Sequence, residues 1–273
     1  KKQSHFSLKD ILVFKNKIFI SYNEEIKRNC WNTSVIQGEI NYEFIKFKKL
    51  FSPKECINIY NSKNWSLGQN LHVTKEFNVH QSGGRIVSFD ENHILLTIGD
   101  YRSRDLAQEK QSVNGKIIRI NILTADYDII SMGHRNPQGL YIDKKNNFIL
   151  ETEHGPQGGD EINLIEIRNI DDGKIQNYGW PISSAGEFYG SLGKHKIKEL
   201  KKKYPLYNSH KDYGFNEPLY SFVPSIGISE IVKIQKNKYV VSSLGGKSLY
   251  FFELNEKKKI LNLEKINVSE RIR

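Results

Sequence analysis

The chain has 273 residues, 38% hydrophobic and 11% aromatic, with 41 Lys and Arg against 31 Asp and Glu and a formal net charge of +10. That composition is that of a globular domain with a sizeable core, and no apolar run reaches the roughly 18 residues a membrane-spanning helix needs. The positive charge does not point to nucleic acid: the lysines are scattered among Asn and Ile, as in KNK (15–17), KKNN (144–147) and EKKKI (256–260), with no basic patch carrying interleaved aromatics.

Short alternating runs bounded by turn residues dominate the chain, and helical periodicity is rare. The chain starts at Lys1-Lys2-Gln3-Ser4 with neither Met nor an apolar leader and stops at Arg271-Ile272-Arg273, so it reads as a segment cut at both ends. A unit of polar turn, strand, loop and second strand then recurs. Its first strands are expected at 16–22, 92–100, 146–155 and 237–246, and their partners at 38–47, 115–122, 160–167 and 247–254. Four copies of one hairpin-based unit suggest radial repetition of sheets within a single domain over 1–273, as in a propeller; the alternative is a single sandwich, whose strands would not need to repeat a signature. The connections 48–91 and 168–236 are long, the second with a short helix expected around 193–204, and long insertions in a compact β-domain are usually functional or partner-facing. Cys30 and Cys56, the two cysteines, flank the run 38–47. They are either free thiols of a reducing compartment or a disulfide, the reading favoured here, and the absence of a CxxC pair argues against structural zinc.

The densest chemistry lies in GHRNPQGLYID (133–143), ETEHGPQGGDEINLI (151–165) and NYGWP (177–181). A planar guanidinium at Arg135 can fork onto a carboxylate or stack on a ring, and Asn136 adds orientable donors. The Gly155-Pro156 turn can aim carbonyls at a hard cation such as calcium. Together they read as an anion site beside a cation site.

With NVHQSGGRIVSFDENHILLTIGD (78–100), these motifs resemble, in order, those of the glucose/sorbosone dehydrogenase family, which includes soluble PQQ-dependent glucose dehydrogenases and aldose sugar dehydrogenases. The resemblance implies an all-β fold, a six-bladed β-propeller of which this chain covers about five blades. It also implies PQQ and Ca2+ as cofactors, a small-molecule sugar substrate oxidised to its lactone, a soluble electron acceptor, and a periplasmic or secreted location. Nucleic acid is not expected as a partner. Residue by residue, His80 matches the catalytic histidine, which takes the anomeric hydroxyl proton as hydride leaves C1, a task suited to an imidazole. Asp100 matches a substrate-side carboxylate. Arg135, Asn136, Ser225, Arg271 and Arg273 match cofactor contacts, as the three carboxylates of PQQ would demand. The carbonyls of Gly155 and Pro156 match the ligands of the cofactor's calcium, while Glu161 and the carbonyl of Tyr178 match those of a second, structural calcium. One departure stands out: Gly245 takes the place of a family lysine, with Lys247 two residues on. The alternatives to an oxidoreductase are a calcium-stabilised propeller that binds without catalysis and a lactonase-type hydrolase, which would need no arginines.

Overall fold

The computed structural model of the chain describes residues 5–59 and 77–272. Their strands form four antiparallel meanders. The first joins β1 (Leu8–Phe14), β2 (Lys17–Lys27), β3 (Cys30–Glu39) and β4 (Lys48–Phe51), with β5 (Ile57–Asn58) also on β3. The second runs through β6 (Gly83–Ser88), β7 (His93–Ile98), β8 (Lys116–Asn121) and β9 (Tyr127–Met132). The third comprises β10 (Pro137–Asp143), β11 (Phe148–Glu153) and β12 (Asp160–Glu166). Two short strands from the long connection complete these sheets: β13 (Gln176–Asn177) lies parallel to β9, and β14 (Tyr220–Phe222) antiparallel to β12. The fourth sheet holds β15 (Ile228–Gln235), β16 (Lys238–Ser243), β17 (Ser248–Leu254) and β18 (Ile260–Asn267). Helices are few: α1 (Ile167–Asp171) and α2 (Lys194–Lys203), the latter at the expected place. Neither is long and apolar enough to cross a membrane.

Turn chemistry sets the hairpins. Lys15 and Asn16, both at positive φ, make a two-residue connection between β1 and β2 whose twist suits a right-handed hairpin. The first strands of the sheets are neighbours in sequence order: β6 packs against β1 on one side and β10 on the other, and β10 against β15. Sheets therefore succeed one another around an axis in a β-propeller arrangement, with three apolar layers between them. Ile94 and Leu96 of β7 and Ile118 of β8 pack on Phe19 and Val35 of the first sheet. The intervening Leu95 and Ile117 face Leu140 and Ile149 of the third. Phe148 and Leu150 then face Ile228, Val241 and Phe252 of the fourth. Burial on both faces explains why these strands read as nearly continuous apolar runs, each buried Leu or Ile contributing about 1.5–3 kcal/mol.

One strand departs from the expectation. The partner of β2 is Cys30–Glu39, in register Ile20↔Ile36, and 40–47 forms no strand. The true partner escapes apolar alternation because Asn32, Thr33, Ser34 and Gln37, all buried, are polar. Asn32 bonds Asn114 and the Glu55 carbonyl, and Thr33 bonds the Ser82 carbonyl and Tyr101 hydroxyl. Its first residue, Cys30, is joined to Cys56 with Cα atoms 5.3 Å apart, so the disulfide alternative holds. That bridge closes a 26-residue separation, which by loop-closure entropy contributes about 3.5 kcal/mol. Cys30→Ser with Cys56→Ser should lower the urea midpoint by a corresponding amount; an unchanged midpoint would show that the bridge does not constrain the unfolded chain.

Candidate functional site

Two buried carboxylates organise the inner ends of the second, third and fourth sheets. Glu153, the last residue of β11, accepts at Oε2 from the backbone amides of Arg135 (2.5 Å) and Asn136 (3.4 Å). Its Oε1 faces His134 Nδ1 and Asn163 Nδ2, each at 3.1 Å. Asp160, which opens β12, accepts at Oδ1 from Gly155 N (3.1 Å) and at Oδ2 from the amides of Ile226, Gly227 and Ile228 (3.0, 2.7 and 3.0 Å). The turn between them is so tight that a Cβ on Gly155 would lie 2.0 Å from the Gly159 carbonyl oxygen.

Over this scaffold lies a cavity of about 500 Å3 whose lining includes His80, Arg135, Asn136, Gly155, Pro156 and Ser225. Six of the residues singled out in the sequence therefore meet, drawn from segments that the three sheets hold apart in sequence. His80 is exposed on a loop held at both ends: Asn78 N donates to the Tyr101 carbonyl, and Tyr101 N to that of Gln81. Arg135 donates from Nη1 to the His154 carbonyl (2.8 Å), its guanidinium 5.5 Å from the Trp180 ring centre. Asn136 Oδ1 accepts from Gly83 N at 3.1 Å, and the Ser225 hydroxyl donates to the Pro156 carbonyl at 3.3 Å.

Asp100 is fully buried behind this wall. Its Oδ1 accepts from Arg102 N (2.7 Å) and its Oδ2 from Trp180 Nε1 (2.8 Å). The Gln81 amide, oriented to suit its partners, links Asp100 Oδ1 to Arg135 Nη2 at 3.0 Å on each side. Burial raises the Asp100 carboxyl above its ordinary range. In this position it fixes Trp180 and the Arg102 backbone without lining the cavity. Arg271 is exposed, donates Nε to the Leu244 carbonyl at 3.2 Å, and is likewise not among the lining residues. Arg273 lies outside the described residues. β16 ends at Ser243 and β17 starts at Ser248, so Gly245 and Lys247 sit in a turn, and strand alternation does not carry Lys247 to the cavity.

Glu161 and Tyr178 lie deeper. In the β11–β12 register, Glu153 faces Glu161 and Glu151 faces Asn163, gathering three carboxylates at one place. Asn163 Nδ2 reaches all of them, at 3.0, 3.1 and 3.5 Å. His134 is fully buried beside them, stacked on Tyr178 with centroids 5.0 Å apart. Burial first, and the neighbouring Glu153 second, push Glu151 and Glu161 well above the usual carboxylate range. Glu151 Oε1, Asn163 Oδ1 and both ring nitrogens of His210 are buried without a hydrogen-bond partner, and His210 Nε2 is 3.6 Å from Glu161. Sequence reasoning singled out Glu161 and missed Glu151, Glu153, Asn163 and Asp160. The signal was the ETE run opposite DEIN: carboxylates two apart share one face of a strand.

Asp160→Ala would strand four backbone amides at once. It should cost about 3 kcal/mol or more and speed hydrogen exchange at residues 226–228. Unchanged exchange there would mean that Asp160 does not hold the Ser225 loop.

Compared with known proteins, residues 14–273 match the family profile described as Glucose / Sorbosone dehydrogenase. The chain is 29% identical to the aldose sugar dehydrogenase YliI of Escherichia coli over 170 residues, 58% of this chain and 41% of that protein. It is 34% identical to quinoprotein glucose dehydrogenase B of Acinetobacter calcoaceticus over 132 residues, 37% of this chain and 26% of that protein. The matched stretches thus span about half the length of these curated relatives or less. Among solved structures, the apo form of the soluble aldose sugar dehydrogenase from Escherichia coli superposes with a TM-score of 0.71 at 22% identity, covering 96% of this chain and 73% of that one. The PQQ-bound aldose sugar dehydrogenase of Streptomyces coelicolor gives 0.59 at 17% identity, covering 92% and 62%. At such identities these structures show a shared fold.

Proposed function

Since the chain belongs to the Glucose / Sorbosone dehydrogenase family, we propose that it carries the catalytic cavity of a PQQ- and Ca2+-dependent dehydrogenase that oxidises an aldose to its lactone. The observation that carries this reading is the meeting of His80, Arg135, Asn136, Gly155, Pro156 and Ser225 around one cavity. The whole protein is then a six-bladed propeller, working in the periplasm or outside the cell and passing electrons to a soluble acceptor; the described residues of this chain supply four of its sheets, one fewer than the five blades the resemblance implies. The Cys30–Cys56 bridge supports an oxidising compartment.

The residues present fit the cofactor. Arg135 supplies a guanidinium for a carboxylate or for the quinone ring, Asn136 an amide and Ser225 a hydroxyl, all facing the cavity. Arg271 and Arg273 are further candidate contacts, Arg271 by exchanging its bond to the Leu244 carbonyl for one to the cofactor. The carbonyls of Gly155 and Pro156 would hold the cofactor's calcium. A second calcium suits Glu161 and the Tyr178 carbonyl, beside which Glu151 Oε1 and Asn163 Oδ1 are buried acceptors left without a donor. Bound PQQ supplies the acceptor for the C1 hydride. His80, exposed on its pinned loop, takes the proton of the anomeric hydroxyl. Asp100 acts through others, holding Trp180 and Arg102 in place.

The turn at Gly245–Lys247, which brings no cation to the cavity, favours the second reading, a calcium-stabilised propeller that binds without catalysis. Turnover separates the two. In protein reconstituted with PQQ and calcium, His80→Ala should lower kcat by about 100-fold or more while PQQ still binds; near-normal turnover would remove His80 from the chemistry. For the second calcium, chelation should lower the melting temperature, calcium should restore it, and Glu161→Ala should reproduce the chelated state. A melting curve indifferent to chelator would contradict that metal site.

A further inference from the structure

Helix α2 lies in the long connection between β12 and β14 and carries six lysines and one glutamate in ten residues. Its spacing sorts them. Ile197 and Leu200 turn inward onto a buried cluster that includes Trp180, Phe188 and Tyr204. Lys194, Lys198, Lys201 and Lys202, at i, i+4, i+7 and i+8, share one face and are exposed. Glu199 is engaged by Lys196 at 3.1 Å and by His195 at 3.9 Å, and Asp105 pairs with Lys203. Among the described residues no carboxylate pairs with the four lysines of the outer face. Such a face works against the helix that bears it. Like charges one turn apart repel, and Lys194 and Lys196 stand at the positive end of the helix dipole, with no acid in the first turn and no side-chain cap from Gly193.

The helix stands beside the mouth of the main cavity. The turn Gly190–Leu192 packs on α2, and Tyr189 just before it lines the cavity together with His80 and Arg135. On the inner side, the Trp180 ring lies 5.5 Å from the Arg135 guanidinium. Just beyond the helix, Tyr207 is tied by its backbone to Ile182 and Ser184 and stacks on Tyr213, with ring centres 3.6 Å and planes 2° apart. Tyr189, Tyr207 and Tyr213 are 45%, 37% and 47% exposed, in a fold that buries Tyr101, Tyr178 and Tyr239 almost completely. Rigid exposed rings beside charge left unpaired are what a protein interface is made of. A lipid surface fits less well, because the apolar residues of α2 face inward and leave nothing to insert.

We infer that the outer face of α2, together with Tyr189 and the Tyr207–Tyr213 pair, docks an acidic electron-carrying protein at the mouth of the main cavity. The inference rests on the sugar-oxidation reading above and gives its soluble acceptor a chemistry: carboxylates to neutralise the lysine face around an apolar patch for the tyrosines. Each aldose that becomes a lactone releases two electrons and two protons. Two one-electron carriers take the electrons in turn, and the protons pass to solvent. Opposite charges steer such a partner to the mouth, so the gain lies in association rate and depends on salt.

The test titrates the full chain with plastocyanin, an acidic blue-copper carrier, with cytochrome c, a basic haem carrier, and with vesicles of phosphatidylcholine and phosphatidylglycerol in equal parts. Calorimetry without cofactor should show plastocyanin binding about ten-fold or more tightly than cytochrome c, the preference weakening as salt is raised. Lys194→Gln, Lys198→Gln, Lys201→Gln and Lys202→Gln together should abolish that preference without lowering the melting temperature, since they also relieve repulsion along the helix. Equal binding of the two carriers by the unaltered chain, a comparison that needs no variant, would overturn the inference. So would a preference that survives the four substitutions, or a lysine-dependent affinity for the vesicles above that for plastocyanin. With PQQ, calcium and a panel of aldopentoses and aldohexoses supplied, the substitutions should slow plastocyanin reduction about ten-fold and leave reduction of an uncharged dye unchanged. Plastocyanin binding with no turnover toward any acceptor would sink the dehydrogenase reading alone, and turnover to the dye without a plastocyanin preference would sink the docking surface alone.

Discussion

Everything at the cavity depends on backbone amides being held by buried carboxylates. Glu153 fixes the peptide amides of Arg135 and Asn136, and Asp160 fixes Gly155 together with Ile226 to Ile228. The side chains that would meet a ligand are carried on those same segments, so their aim is set one bond further back. Charge-assisted bonds of this kind are about twice as strong as neutral ones, and in a water-poor interior neither partner has an alternative. The arrangement also costs stability: burial, and after it the packing of carboxylates side by side, raises Glu151 and Glu161 well above their ordinary range. A site that accepts such a cost is one in which polar geometry matters more than burial of apolar surface.

The propeller arrangement makes this economy possible. Each sheet contributes one strand to the neighbourhood of the axis, and the loops entering or leaving that strand face the same side. His80 precedes β6, Arg135 and Asn136 precede β10, and Ser225 precedes β15. Residues distant in the chain thus share one cavity without any long loop having to find its way across the molecule. The apolar layers between sheets hold the loops' roots rigid, and the Cys30–Cys56 bridge secures the first sheet, where polar residues replace apolar ones.

Much of this was legible in the residues. Strands such as NHILLTIGD and DEINLIEI announce themselves by apolar residues packed on both faces, and the HGPQGG run by its turn residues. The strand Cys30–Glu39 was not legible, since Asn32, Thr33 and Ser34 are buried through hydrogen bonds to partners remote in sequence. The role of Asp160 was hidden for the same reason: three of its four amide partners are more than sixty residues away, and no spacing rule reaches that far. Asp100 illustrates the limit of matching residues by motif. The position carries a carboxylate as expected, yet the fold turns it inward to brace Trp180 and Arg102.

On the proposed function, one cavity, built on Glu153 and Asp160, receives an anionic quinone through Arg135 with calcium beside it. The most direct measurement is a titration of the full chain with PQQ, followed by its visible absorbance, with calcium present and after chelation. The account predicts saturable one-to-one binding that weakens on chelation and is lost in Arg135→Gln. Binding that ignores both calcium and Arg135 would contradict it, as would no binding at all.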